Sequence, residues 1–202
     1  MRQKIPKVRP VQLMLLVMVL AAILTPRPGG AAQTIVSSKQ MDDDAKGFRE
    51  FSNRAQEYLQ LHKSVEEALR RVKRADSPEN INAHQQELAR GLRDARPHAE
   101  RGDIFRPSAS EAIRHAIRSV FQSGQANSAR ATIQQGAPLK ESHLKVNQVL
   151  PEAVPYTTVP PSLLLKLPHL PDELAYRIVG RDLILVDVPA NLIVDFMPKA
   201  IP

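Results

Sequence analysis

The chain has 202 residues, 28 Lys and Arg against 21 Asp and Glu, a formal net charge of +7, and no cysteine. A chain without cysteine has no disulfide framework, no thiol nucleophile and no lipid-bearing cysteine, and this length suits one domain or a helical part joined to a small second unit. The basicity is concentrated at one end: Arg2, Lys4, Lys7, Arg9 and Arg27 are five of the cations, and without them 23 remain against 21 acids. That net +2 is poor ground for a nucleic-acid partner, and none is expected.

Residues 1–32 read as a cleavable secretory signal peptide. Four cations without an acid precede an unbroken apolar run from Leu13 to Leu24, the n-region and h-region of an export signal. Twelve residues of helix at about 1.5 Å each reach ~18 Å, short of a hydrocarbon core of about 30 Å. Thr25-Pro26-Arg27-Pro28-Gly29-Gly30 breaks the helix, and Gly30 and Ala32 supply a small-x-small cleavage pattern before Gln33. The expected location is the periplasm or the extracellular space. The alternative is an uncleaved N-terminal anchor, the one route by which the chain would contact a membrane.

Residues 33–45 are polar and are expected to form a flexible tail, with Asp42-Asp43-Asp44 capping the helix that follows. From 46 to 138 the pattern is helical. Phe48, Phe51, Ala55, Tyr58, His62, Val65, Leu69 and Val72 recur every three or four residues, which predicts a long amphipathic helix whose opposite face is charged. Ser77 and Pro78 predict the start of a second helix to about Ala95, burying Ile81, Leu88, Leu92 and Ala95. The two should pair as a helical hairpin. Ala112, Ile113, Ala116, Ile117, Val120 and Phe121 define a third helix, started by Ser108 or Ser110 and stopped by Gly124. Residues 129–134 fit a short helix or a loop.

Nine of the 17 prolines lie beyond residue 138, so residues 139–202 read as a Pro-rich segment followed by a small β module. Leu144 and Val146 alternate as in a strand, and Pro151, Pro155, Pro160 and Pro161 mark an extended segment barred from the middle of a sheet. Tyr176-Arg177-Ile178-Val179 and Leu183-Ile184-Leu185-Val186 flank Gly180-Arg181-Asp182, a hairpin signature, and Pro189-Ala190-Asn191 returns the chain into Leu192 to Met197. The expected fold class is therefore α+β: a helical hairpin and third helix, a Pro-rich connector, and a small antiparallel meander.

Leu167-Pro168, Leu170-Pro171, the run Tyr176 to Val186 and Ile193-Val194-Asp195 together resemble the C-terminal module of RcnB-like periplasmic proteins associated with nickel and cobalt homeostasis. The resemblance covers about forty residues and implies a periplasmic location and a small β module. It does not carry metal binding over, because the His-rich and acid-rich stretches are missing. The chain as a whole resembles a family of uncharacterised exported bacterial proteins, a likeness that implies no activity.

Sites of chemistry are sparse. The histidines form no His-x-x-x-His or His-Glu-x-x-His pattern. His62 and Glu66, and His84 and Glu87, each lie about one turn apart, so facing helices would bring two His/carboxylate pairs together as a metal site; a hydrogen-bonded core histidine is the simpler reading of His62. Asp182, Asp187 and Asp195 fall in or beside the strands, where turn and edge roles explain them more simply than acid–base chemistry. No Gly-x-Ser-x-Gly or phosphate-binding glycine loop occurs. Arg90, Arg93, Arg96, Arg101, Arg114, Arg118 and Arg130 are interleaved with acids, as on a solvated mixed-charge face. The expectation is an exported, non-catalytic envelope protein without a cofactor that binds or scaffolds an envelope partner, or self-associates through its helical stripe. The alternatives are a periplasmic metal-homeostasis or sensing protein, and an enzyme whose site is assembled from distant residues.

Overall fold

The computed structural model describes residues 30–73, 81–134, 144–151 and 154–202. The chain divides into two units, Met1–Lys39 and Gln40–Pro202, so the helical region and the β module share the second. The elements are α1 (Gly30–Lys73), α2 (Ile81–Ala95), α3 (Pro107–Phe121), α4 (Ala126–Gln134), β1 (Thr157–Thr158), α5 (Pro161–Leu164), β2 (Leu174–Val179), β3 (Asp182–Asp187) and β4 (Leu192–Met197). The fold is α+β, with one antiparallel sheet in the order β1-β2-β3-β4.

The predicted stripe of α1 is the spine of the core. Phe51, Ala55, Tyr58 and His62 are buried, and Phe51 stacks on Phe105 at 5.3 Å and Tyr176 at 5.9 Å between ring centroids. The helix starts earlier than expected, however. Residues 33–45 are helical rather than a flexible tail, because no glycine or proline interrupts residues 31–46 and extending a helix already nucleated by packing costs little. Asp42 to Asp44 thus lie inside the helix and do not cap it. Asp44 instead stands 2.7 Å from His115 Nδ1 and accepts from Gln40 at 3.0 Å.

Gly47 and Gly91 set two close approaches. A Cβ at Gly47 would lie 2.4 Å from the Ser108 carbonyl oxygen, so α1 and α3 touch backbone to backbone there, and a Cβ at Gly91 would lie 2.6 Å from Val65 Cγ1, where α1 meets α2. The turn expected at Ser77 and Pro78 lies outside the described residues. On α2, Leu88, Ala89 and Leu92 are buried, whereas Ile81 is 82% exposed and Ala95 is exposed. The apolar face of α2 runs on to Ile81, but no described residue covers it there. The stripe of α3 is buried as predicted. Its start is not a serine cap: Arg106 holds the N-cap position without a side-chain bond, and Pro107 opens the helix.

β2 and β3 form the predicted hairpin through a two-residue loop, Gly180-Arg181, with positive φ at Gly180. Alternation sends Leu174, Tyr176, Ile178, Leu183 and Leu185 to the helix side, and Val179, Ile184 and Val186 to the other, where Leu150 and the partly buried Leu144 and Val154 cover them. Leu144 and Val146 do not form a strand. Asn147 adopts φ 62° and the chain turns, bonding irregularly along β4 through Asn147 N–H to the Ile193 carbonyl and Leu150 N–H to the Asn191 carbonyl, both at 2.9 Å. This closes the β4 edge. In β4 the register slips so that Leu185 faces Asp195 while Val186 faces Ile193, a bulge that inverts the alternation beyond Val194.

Candidate functional site

Alternation along β3 places Asp187 on the face of Leu183 and Leu185, directed at α1, where the stripe presents its two polar members one turn apart. The carboxylate is fully buried. Tyr58 donates its hydroxyl to Asp187 Oδ2 at 2.7 Å, His62 Nδ1 lies 2.6 Å from the same oxygen, and the Ala190 N–H donates to Oδ1 at 2.9 Å. Burial alone would lower the His62 pKa, but the hydrogen bond and charge of Asp187, with Glu66 and Glu173, more than offset it and the net shift is upward. Burial, reinforced by Asp187, pushes the Tyr58 phenol far above its usual range. The Arg96 guanidinium sits 4.9 Å from the Tyr58 ring centre and is itself lowered by desolvation.

A histidine on a carboxylate is the orienting half of a general base. Here it has no access to a substrate: His62 is buried, its Nδ1 is held by Asp187, and its Nε2 lies 3.9 Å from Glu66, which Arg70 bonds at 2.6 Å. The cluster ties α1 to the sheet. His62 and Glu66 are brought near each other as their spacing implied; His84 and Glu87 lie partly buried on α2. Among the described residues no three His, Asp or Glu side chains are arranged to hold a metal ion.

The other two acids are also structural. Asp195, expected to point outward and blunt an edge, is fully buried. Its oxygens accept from the N–H groups of Gly102, Ile104, Phe105 and Phe196 at 2.7–2.9 Å. Desolvation raises its pKa against the lowering effect of those four donors. Asp182 begins β3 and accepts from the Lys199 N–H at 2.8 Å.

The accessible feature of the sheet is its other edge. β1 pairs only Thr157 with Ile178 and Thr158 with Arg177, because Pro160-Pro161 then turn the chain into α5 and cannot donate to a ladder. Among the described residues no strand pairs with Leu174–Tyr176 on that side. The Tyr176 carbonyl accepts instead from the Arg177 guanidinium at 3.0 Å. Beside this stretch lies a groove of about 560 Å³ between β2 and the segment 164–170. Of the three leucines of the run 163–165 only Leu163 is buried; Leu164 is 51% and Leu165 87% exposed, and both line the groove. The sequence carries one signal of this exposure. The signal was its length: a one-turn helix buries one face, so three consecutive leucines cannot all enter the core.

No family model, curated protein or solved structure matches the chain. Among the described residues no helix is long and apolar enough to cross a membrane; Leu13 to Leu24 lies outside them.

Proposed function

We propose that this is an exported envelope protein that acts by binding, and that the groove beside β2 takes an extended apolar segment of a partner protein. The carrying observation is the half-covered edge. No strand among the described residues pairs with Leu174–Tyr176 on this side, where the Leu174 N–H bonds the Pro171 carbonyl at 3.0 Å and the Tyr176 carbonyl bonds the Arg177 guanidinium, and this edge stands next to exposed Leu164 and Leu165; strand addition would use the remaining main-chain groups for affinity and the apolar contacts for specificity. Export rests on the sequence of residues 1–32.

Two measurements test the two halves separately. Mass spectrometry of protein recovered from the envelope fraction should give a mature chain starting at Gln33; a retained Met1 overturns cleavage. Immobilised extended peptides with alternating apolar residues should bind, and Leu165→Glu should weaken them about tenfold, as expected when an apolar contact of about 1.4 kcal/mol is lost. Because Leu165 is so exposed, the variant keeps its fold. Equal binding of peptides whose alternate residues are proline, which cannot pair as a strand, overturns the mode.

A further inference from the structure

The groove beside β2 is limited at one end by the chain itself. β1 already occupies the edge opposite Arg177 and Ile178, and at Pro160-Pro161 the chain leaves the sheet for α5. A segment added along Leu174–Tyr176 lies in line with β1, so it has to stop, or turn out to solvent, where β1 ends. A chain terminus meets that limit without a turn. The charge at this end is positive. Arg177 is the one permanently charged residue lining the groove, and no acid lines it. The other titratable group of the lining, His169, belongs to the opposite wall, 164–170, where Lys166 adds an exposed cation. The acids nearest in sequence stand outside the lining: Asp172 is exposed, and Glu173 acts on His62.

Arg177 is held by uncharged groups. It donates to the Tyr176 carbonyl at 3.0 Å and lies 5.7 Å from the centre of the exposed Tyr156 ring. Among the described residues no carboxylate pairs with it. The Tyr176 carbonyl is also the acceptor that an added strand needs beside β1. A segment pairing there displaces the guanidinium, which is then left without an acceptor at the rim of an apolar groove. A carboxylate on the segment supplies one, in the planar geometry that a guanidinium prefers. Of the two termini a chain can present, an ammonium meets Arg177 as a like charge, so the carboxylate end is the one selected. Because β1 lies beside the later half of β2, a segment that ends there runs parallel to β2.

Granted the groove's role as a strand-addition site, on which this rests, we infer that it recognises the C-terminal end of its partner, an apolar segment whose terminal carboxylate sits on the Arg177 guanidinium. Fluorescence anisotropy on the intact protein tests this with N-terminally labelled peptides of one alternating apolar sequence: the free C-terminal acid, its C-terminal amide, and the amide with Glu as its last residue. The acid should bind at least about tenfold more tightly than the amide, the scale of one hydrogen bond to a charged group. Arg177→Gln should abolish that preference. Arg177→Lys, which keeps the charge and loses the fork, should retain part of it and replaces the first variant if that one does not fold. Equal affinity for acid and amide, or a preference that survives Arg177→Gln, overturns terminus recognition while strand addition in the groove stands. The Glu-ending amide binding as tightly as the acid also overturns it, in favour of a side-chain carboxylate. If none of the peptides binds, strand addition and terminus recognition fall together.

Discussion

Asp187 has three donors on two oxygens and no contact with water, so each donor matters more than a surface bond does. Tyr58→Phe removes one donor to a charged, buried acceptor and should cost about 1.5–3 kcal/mol in urea denaturation; a loss within 0.5 kcal/mol, the scale of a surface change, would show the hydroxyl to be idle. His62 gives the cluster a pH dependence whose sign follows from its raised pKa. Its contribution is fully present below the unfolded-state value of about 6.5 and is lost as pH rises through the folded-state value. The thermal midpoint should therefore fall as pH increases above about 6.5, and His62→Gln should flatten that slope. An unchanged slope in the variant would place it on another group. The sequence held the parts of this cluster: a polar pair four residues apart inside an apolar stripe, and an aspartate in phase with the buried residues of its strand. Their pairing across 125 residues was not legible, since periodicity reports which face a residue takes and not what lies opposite. Asp195 was hidden for a related reason, because the bulge in β4 breaks the alternation that would have located it.

Elements with a single strong period were readable; elements shaped by contact were not. The stripes of α1 and α3 and the β2–β3 hairpin follow from spacing and turn chemistry alone. The start of α1 and the turn at Lys145–Gln148 do not, since the first depends on helix extension from a packed region and the second on where β4 needs an edge cover. Gly47 shows the same dependence on a neighbour. In an exposed helix interior, alanine in place of glycine stabilises by about 1 kcal/mol. At Gly47 the added methyl meets the Ser108 carbonyl and Ala112 Cβ, so Gly47→Ala should reverse that sign and destabilise by about 1–3 kcal/mol, as overpacking does. A rise in the thermal midpoint would mean that α1 and α3 separate at no cost.

For the molecule as a whole, the core joins the first helix to the last strands. Gln40–Pro202 is one unit, although composition changes sharply near residue 138. The reason is that neither part is complete alone: the helices lack a partner for Phe51 and Tyr58, and the strands lack a cover for Tyr176 and Leu185. A chain ended after Pro189 should keep helical circular dichroism but lose the cooperative unfolding transition, because β4 and Asp195 are removed together. A sharp transition in that truncation would show the helices to be self-sufficient.

The carboxylate of Asp195 also dictates when the protein can finish folding. Three N–H groups of the loop between α2 and α3 donate to this carboxylate, 93, 91 and 90 positions further on. During synthesis from the N-terminus, that loop lacks this acceptor until Asp195 arrives, and contacts of such separation form slowly. The α2–α3 loop is therefore pinned only after β4 has been made.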